Sequence, residues 1–475
     1  MKTTTRSWLA MIVIGIFTIM ANLDASIINI ALPIMSKSLA VPISQITYTV
    51  MGYMVILSGL LVTFGKLGDI WGKGRIFTLG MYSFTIGSLM ASVNFGFEFL
   101  LLARFVQAVG AAATLSNSYG LISELFDNHT RGTAMGINTM FISAGFVAGP
   151  ALGGFLLQQF AWNAIFMINI PLGIIAIILG HLFLPKNHGR QQATKLDGWG
   201  AGILFIIITL FFVVLEAGQT IGFRQPLIII GFIITLALTL YFIYLEKHRK
   251  NALLPLSIFK NRTFSLALLV GMLIPLINAL FSFIFPLYLQ DYLNWSVGTT
   301  GILMLIFPLI MAIAAPLGGW LSDLFSQQLV LLTGLVLIII TQIGFLFLDS
   351  HTSLTLIISL LISNGIGTGF FIAPNNTLLM SVVPQNQLGV AGSLQSLGNN
   401  IGNILGVALG SLALFTTMSI DAGYRVSTYL PAHPAWFAHG LTWSFSVSLI
   451  CALLGFAISI INALHTKLIH LQINS

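Results

Sequence analysis

Two charged residues stand where a chain this apolar has little use for them. Asp24 lies in LDASIINIALP, residues 23–33, and Arg104 in RFVQAVGAA, residues 104–112. An ionised group in hydrocarbon costs at least about 2.5 kcal/mol, so each needs a partner or a wet cavity. Counted along their apolar runs at about 1.5 Å per residue, both fall at one depth, in the outer half of a bilayer, where they could pair. A carboxyl so placed is pulled two ways: desolvation favours the neutral acid and a nearby cation favours the carboxylate. Proton and cationic ligand then compete for one group, and exchange follows from competition. Gln107, one turn beyond Arg104, joins this candidate set. Asn22, Ser26 and Asn29 form a polar stripe on the same helix as Asp24 and project almost opposite to it. A helix polar on two sides should be surrounded by protein or a cavity rather than lipid, which makes Asn22, Ser26 and Asn29 candidate substrate-lining residues.

A second constellation is GKLGDIWGKGR, residues 65–75, expected as a short basic loop carrying Gly65, Leu67, Asp69, Gly72, Lys73 and Arg75. A carboxylate such as Asp69 gains about 0.3 to 1 kcal/mol at a helix N-terminus. The pattern returns as Gly319-x-Leu321-x-Asp323, followed by Leu324, Phe325, Ser326, Gln327 and Gln328, with no basic half. The first copy is therefore the one expected to work. A third is GFVAGPALGG, residues 145–154: Gly145, Gly149 and Gly153 share a face that lets another helix approach, Gly154 follows, and Pro150 adds a bend.

These groups must be held by elements that satisfy their own backbone in lipid. The 475 residues are 57% hydrophobic and 7% charged, with a mean hydropathy of +0.98, where a soluble domain carries about a quarter charged residues. Apolar runs near the length that crosses hydrocarbon as a helix recur along the chain. They predict about fourteen spans: 8–31, 45–64, 76–94, 98–122, 133–157, 163–184, 198–217, 226–245, 264–289, 298–320, 328–348, 352–374, 387–416 and 437–464. The expected fold class is an all-α multi-pass membrane protein. Spans one to six match nine to fourteen, dividing the chain into a six-helix bundle at 1–190, an inserted pair at 191–250 and a second bundle at 251–475. Lys and Arg set the orientation. With a cytoplasmic N-terminus only Lys37, Arg224 and Arg425 fall outside and Arg104 within the membrane, leaving Lys2, Lys186, Arg190, Lys195, Lys250, Lys467 and the rest inside. Both termini are then cytoplasmic, and the net charge of +7 reflects topology; a nucleic-acid partner would need a basic face on a soluble surface.

Other chemistries are poorly supported. The first run is too long for a secretory signal and contains Asp24. Cys451 is the single cysteine, so disulfide frameworks and cysteine metal sites are excluded. Neither Gly65-Lys66 nor Gly72-Lys73 has the setting of a phosphate-binding loop, and no His/Glu pair has metalloprotease spacing. No metal, cofactor or catalytic residue is expected. Glu98, Glu124, Glu216 and Asp291, near span ends, read as interfacial or gating residues, and Pro308, Pro316 and Pro374 as bends.

Together, residues 23–33, 65–75, 104–112 and 145–154, with WNAIFMINIPLG at 162–173 and PLSIFKNRTF at 255–264, resemble the fourteen-span drug:proton antiporters of the major facilitator superfamily. Three positions depart from that pattern: Ala108 stands where Gly is usual, Asn163 where a basic residue commonly follows Trp162, and the second 319–328 copy lacks its basic half. The resemblance implies two six-helix bundles plus two inserted helices and substrate bound near the midplane with alternating access. It places Asp69 on the start of span thirteen, near Gln387, as a cytoplasmic gate, and makes the 145–154 glycines an exporter's signature. It further implies proton-driven export of amphipathic small molecules by a monomer in the plasma membrane, with no cofactor. Asp24 suits a lipophilic cation, whereas Asn364, Asn375, Asn376, Asn399, Asn400 and Asn403 would suit a neutral polar substrate. The alternatives are a dedicated exporter of an endogenous lipid, sugar or metabolite and, from another class, a transporter-like sensor that moves nothing.

Overall fold

The structure is a computed structural model that describes residues 5–185, 196–223, 225–249, 251–426 and 428–473, with side chains except those of Thr220 and residues 465–473. The expected boundary at 190/191 and Lys2, Lys186, Arg190, Lys195, Arg224 and Lys250 lie outside the described residues, as does the Lys467 side chain.

The described residues fold into α1 (Thr5–Leu39), α2 (Ile43–Ile46), α3 (Tyr48–Trp71), α4 (Lys73–Ala91), α5 (Phe97–Leu125), α6 (Arg131–Gln159), α7 (Ala164–Met167), α8 (Asn169–Phe183), α9 (Gly198–Ile221), α10 (Pro226–His248), α11 (Arg262–Leu287), α12 (Val297–Leu324), α13 (Gln327–Leu346), α14 (Leu354–Ser381), α15 (Leu388–Ala422) and α16 (Pro434–Ile473). Among them, thirteen helical segments are long and apolar enough to cross a membrane. The remaining long helix, α4, is diluted by Lys73, Arg75 and its glycines.

One expectation needs correcting. Residues 65–75 are not a loop: α3 runs through Trp71, Gly72 alone breaks the chain, and α4 starts at Lys73. Gly72 makes that possible with φ 97°, a conformation other residues resist, while its amide still donates to the Gly68 carbonyl at 2.9 Å. The expected span at 163–184 is present as Ala164–Phe183, interrupted between α7 and α8. Pro171 has no N–H to offer the Met167 carbonyl, so the helical ladder lapses there.

The chain divides into two compact units, residues 1–258 with 383–397, and residues 259–382 with 398–475. In the first, α4 packs on α5 through a glycine joint. A Cβ on Gly80 would lie 2.8 Å from the Gly110 carbonyl oxygen, and one on Gly110 would lie 2.7 Å from that of Gly80. Only bare backbone permits this approach. α9 lies on α3, where a Cβ on Gly59 would strike the Phe205 ring. The base of the α9–α10 pair is tied by Asp197, which caps α9 by accepting from the Gly200 amide (3.0 Å) and pairs with Arg249 at the end of α10. Partial burial pushes the Asp197 carboxyl up, but the Gly200 amide and the Arg249 guanidinium outweigh it and hold it below the usual carboxylate range.

In the second unit α14 packs against α12, α13 and α11, and α16 covers α11 and α13. The glycine joint recurs: a Cβ on Gly334 of α13 would sit 2.7 Å from the Gly367 carbonyl oxygen of α14. Stacked Phe281 and Phe345, with Phe285 and Phe445, fill a core among α11, α13, α14 and α16.

Candidate functional site

The two intramembrane charges meet. Arg104 Nη1 of α5 donates to Asp24 Oδ2 of α1 at 2.5 Å. Asp24 Oδ1 accepts from Asn169 Nδ2 of α8 (2.9 Å) and Gln107 Nε2 of α5 (3.2 Å). Arg104 is held from three further sides. Nη1 donates to Gln107 Oε1 (2.8 Å), Nε donates to the Thr49 carbonyl (3.2 Å), and the guanidinium lies 4.1 Å from the centre of the Tyr53 ring. Gln107 Nε2 also donates to Ser88 Oγ of α4 at 2.7 Å. Asp24 is 0% and Arg104 2% exposed.

This is a desolvated ion pair whose remaining donors and acceptors are largely filled by neutral groups, the condition under which a buried pair is tolerable. Five helices meet at it. α1 brings the carboxylate, α5 the guanidinium and Gln107, α8 Asn169 and α4 Ser88, while α3 supplies a carbonyl and an aromatic face. Sequence reasoning found Asp24, Arg104 and Gln107 and missed Asn169, Ser88 and Tyr53. Asn169 was visible only as a polar residue in WNAIFMINIPLG.

The other polar residues of α1 are not brought to Asp24. Asn22 Nδ2 donates to the Thr18 carbonyl (2.7 Å), and Ser26 Oγ donates to that of Leu23 (3.1 Å) and lies 3.4 Å from that of Gly145. Asn29 is exposed and bonds Ala25 on its own helix. This side of α1 lies in the groove of α6. A Cβ on Gly145 would lie 2.7 Å from the Ile19 carbonyl oxygen, one on Gly149 would strike Ser26, and one on Gly153 would meet Ile27 at 2.7 Å. Gly154 faces open space and Pro150 is exposed.

The second constellation assembles at the start of α15, all within the first unit. Asp69 accepts from the Gly389 amide (2.8 Å) and the Val390 amide (3.0 Å). These are free N–H groups of a helix's first turn, aimed at an anion. Lys73 Nζ, 5% exposed, bridges Asp69 (2.9 Å) and Glu124 of α5 (2.7 Å). Glycines admit the contact: a Cβ on Gly389 would sit 2.8 Å from Asp69 Oδ1, and one on Gly65 2.5 Å from the Gly389 carbonyl oxygen and Ser393 Oγ. Leu67 packs with Ile76 and Ala113, Arg75 is exposed, and Asp323 lies half-buried on α12 of the second unit. Glu124, read from its place near a span end as an interfacial or gating residue, joins this charge cluster through Lys73.

Comparison with known proteins gives matches along most of the chain. The family model described as Major Facilitator Superfamily matches residues 14–277 and again 267–460. The riboflavin transporter RibZ of Clostridioides difficile is 34% identical over 424 residues, covering 89% of this chain and 91% of that protein. The methylenomycin A resistance protein of Bacillus subtilis is 27% identical, covering 92% and 93%. Among solved structures, the outward-facing bacterial homologue of the iron transporter ferroportin shares the fold, with a TM-score of 0.66 at 13% identity over 97% of this chain and 100% of that one. The family and these relatives are transporters rather than enzymes. A family model matched over both halves, a relative aligned nearly end to end and an all-helical multi-pass fold agree, and the chain belongs to the major facilitator superfamily.

Proposed function

We propose that this transporter is a proton-coupled antiporter of the fourteen-span drug:proton family, exporting amphipathic compounds from the cytoplasm. In this reading it works as a monomer in the plasma membrane, with both termini cytoplasmic and no cofactor. The observation that carries the reading is the buried Asp24–Arg104 pair with Gln107 and Asn169 around it. Protonating Asp24 removes the anion that Arg104 faces and leaves the guanidinium its bonds to Gln107 and the Thr49 carbonyl. A lipophilic cation reaching the same carboxylate does so at the expense of the proton or of Arg104. One charge moving through 100 mV supplies about 2.3 kcal/mol, enough for roughly a 50-fold gradient. The Asp69 clasp on the first turn of α15 is the cytoplasmic gate in this scheme, formed when the site faces outward.

Inverted vesicles containing the protein, loaded with a pH-sensitive dye and acidified inside, test the proposal. Adding a lipophilic cation such as tetraphenylphosphonium should release protons from wild type and not from Asp24→Asn. Release that survives in Asp24→Asn would remove Asp24 from the coupling step. A second reading, a dedicated exporter of one neutral metabolite, is favoured by the name of the riboflavin transporter relative. It predicts release with a single neutral compound and with no cation.

A further inference from the structure

The internal repeat extends beyond the Gly-x-Leu-x-Asp pattern. Gly65 and Gly319 stand 254 residues apart, as do Gly80 and Gly334; their joint partners Gly110 and Gly367 stand 257 apart. With these offsets Asp24 falls on Asn278, Ser88 on Gln342, Gln107 on Asn364 and Arg104 on Leu361. The second unit thus carries the first unit's polar site with its ion pair removed. A carboxamide replaces the carboxylate and an apolar side chain replaces the guanidinium.

Helix register places these residues together. Asn375 Nδ2 of α14 donates to the Ala267 carbonyl of α11 at 3.2 Å. The two helices run in opposite senses, as odd and even spans must. Eleven residues, about three turns, back along α14 reach Asn364, and eleven forward along α11 reach Asn278. From α13, Thr341 Oγ1 bonds Ser363 Oγ at 2.9 Å, bringing Gln342 to the same level.

Unlike Asp24, these groups are unfilled within the protein. Asn364 is 0% exposed, yet neither its amide nitrogen nor its oxygen has a partner. Thr368 Oγ1, one turn further, Asn278 Oδ1 and Gln342 Nε2 are likewise buried and unpartnered, although Gln342 Oε1 accepts from Ser448 Oγ at 2.8 Å. Buried polar groups left without partners are costly, so a cluster of them requires either a use or a filler.

We propose that this uncharged copy is a ligand site for the edge of a neutral molecule that carries a hydrogen-bond donor and acceptor side by side, such as an amide, lactam or imide. The Asn364 carboxamide offers N–H and C=O in the same arrangement, so the two can pair through two parallel bonds, the way Asn and Gln read a base edge. Thr368, Asn278 and Gln342 supply the remaining donors and acceptors. With Leu361 where Arg104 would stand, the site offers a charged group no counter-ion, which separates its ligands from those of Asp24. The proposal depends on the exporter reading only for what the site is used for.

The test is equilibrium dialysis of the full chain in nanodiscs, with no gradient imposed, against 1,8-naphthalimide and N-methyl-1,8-naphthalimide, which differ by one N–H. The expected result is binding of the imide about tenfold tighter than its methylated form, the worth of one well-made hydrogen bond. Asn364→Leu should abolish that preference. Should that variant lose its monodisperse elution profile, Thr368→Val and Asn278→Leu should each reduce the preference severalfold. Equal binding of the two probes, no binding to folded protein, or a preference that survives Asn364→Leu would overturn the site and leave its orphan groups to buried water. Because binding is read at equilibrium, the result is separate from the proton-release assay, and either can fail alone.

Discussion

Asp24 accepts from three donors on two other helices, so its neighbours depend on it as much as it depends on them. Removing one partner of such a pair leaves a buried charge uncompensated, at about 3 to 5 kcal/mol. Arg104→Leu should therefore lower thermal stability in detergent sharply, and adding Asp24→Asn to it should restore most of the loss. A double variant as unstable as the sum of the singles would mean that the two side chains act independently. Arg104→Lys should not substitute, because the Asp24, Gln107 and Thr49 contacts use the planar fork of a guanidinium. Asp24 and Arg104 were legible in the sequence because a charge in hydrocarbon has no bland explanation. Ser88 and Asn169 were not. Neutral polar side chains in membrane helices commonly bond their own backbone, as Ser88 also does with the Phe84 carbonyl at 2.9 Å, and nothing in the chain marks which of them turns toward another helix.

The α1–α6 seam shows what spacing reveals and what it leaves out. The four-residue glycine period announced a groove but not its occupant, which is the side of α1 bearing Asn22 and Ser26. Their polar stripe makes them substrate-lining candidates in the sequence, yet the stripe faces α6. Gly149→Val should push α1 off the seam and cost about 1 to 3 kcal/mol, as overpacking does, whereas Gly154→Val, facing open space, should be near neutral. Thermal unfolding of the two variants makes the comparison. The 65–75 segment was misread as a loop because glycines and charges there outweigh the apolar pattern, while in the folded chain a single positive-φ glycine makes the whole turn. Asp197 offers a check by pH. Its folded carboxyl titrates below the unfolded value, so its stabilisation is complete above about pH 4 and is lost as pH falls through the folded value. Asp197→Asn keeps an oxygen to cap α9 but loses the charge facing Arg249, so it should lower stability by about 0.2 to 1 kcal/mol at pH 6 to 8, with the difference from wild type shrinking below pH 4.

For the molecule as a whole, the sequence repeat and the recurring apolar runs pointed to a duplicated membrane protein, because both are carried by many residues at once. The Gly80–Gly110 and Gly334–Gly367 joints extend that duplication into packing. The clasp on α15 depended on contact between residues 320 positions apart. Spacing alone cannot find such a pair, and here only the resemblance pointed to it. Hydrogen bonds to a charged acceptor are worth about 1.5 to 3 kcal/mol, so Asp69→Ala should speed hydrogen exchange in the peptide 383–397 about tenfold or more, read by mass spectrometry. Unchanged exchange would mean that packing alone holds the helix start. The ion pair also bears on how the protein is made. Asp24 and Arg104 are 80 residues apart, and at about 5 to 20 residues per second the ribosome delivers the guanidinium roughly 4 to 16 seconds after the carboxylate. During that interval a lone acidic group in α1 carries about 2.5 to 3.5 kcal/mol against residence in lipid. The first helix of this chain therefore carries that cost uncompensated, its apolar side chains holding it in lipid, until α5 arrives to pair with it.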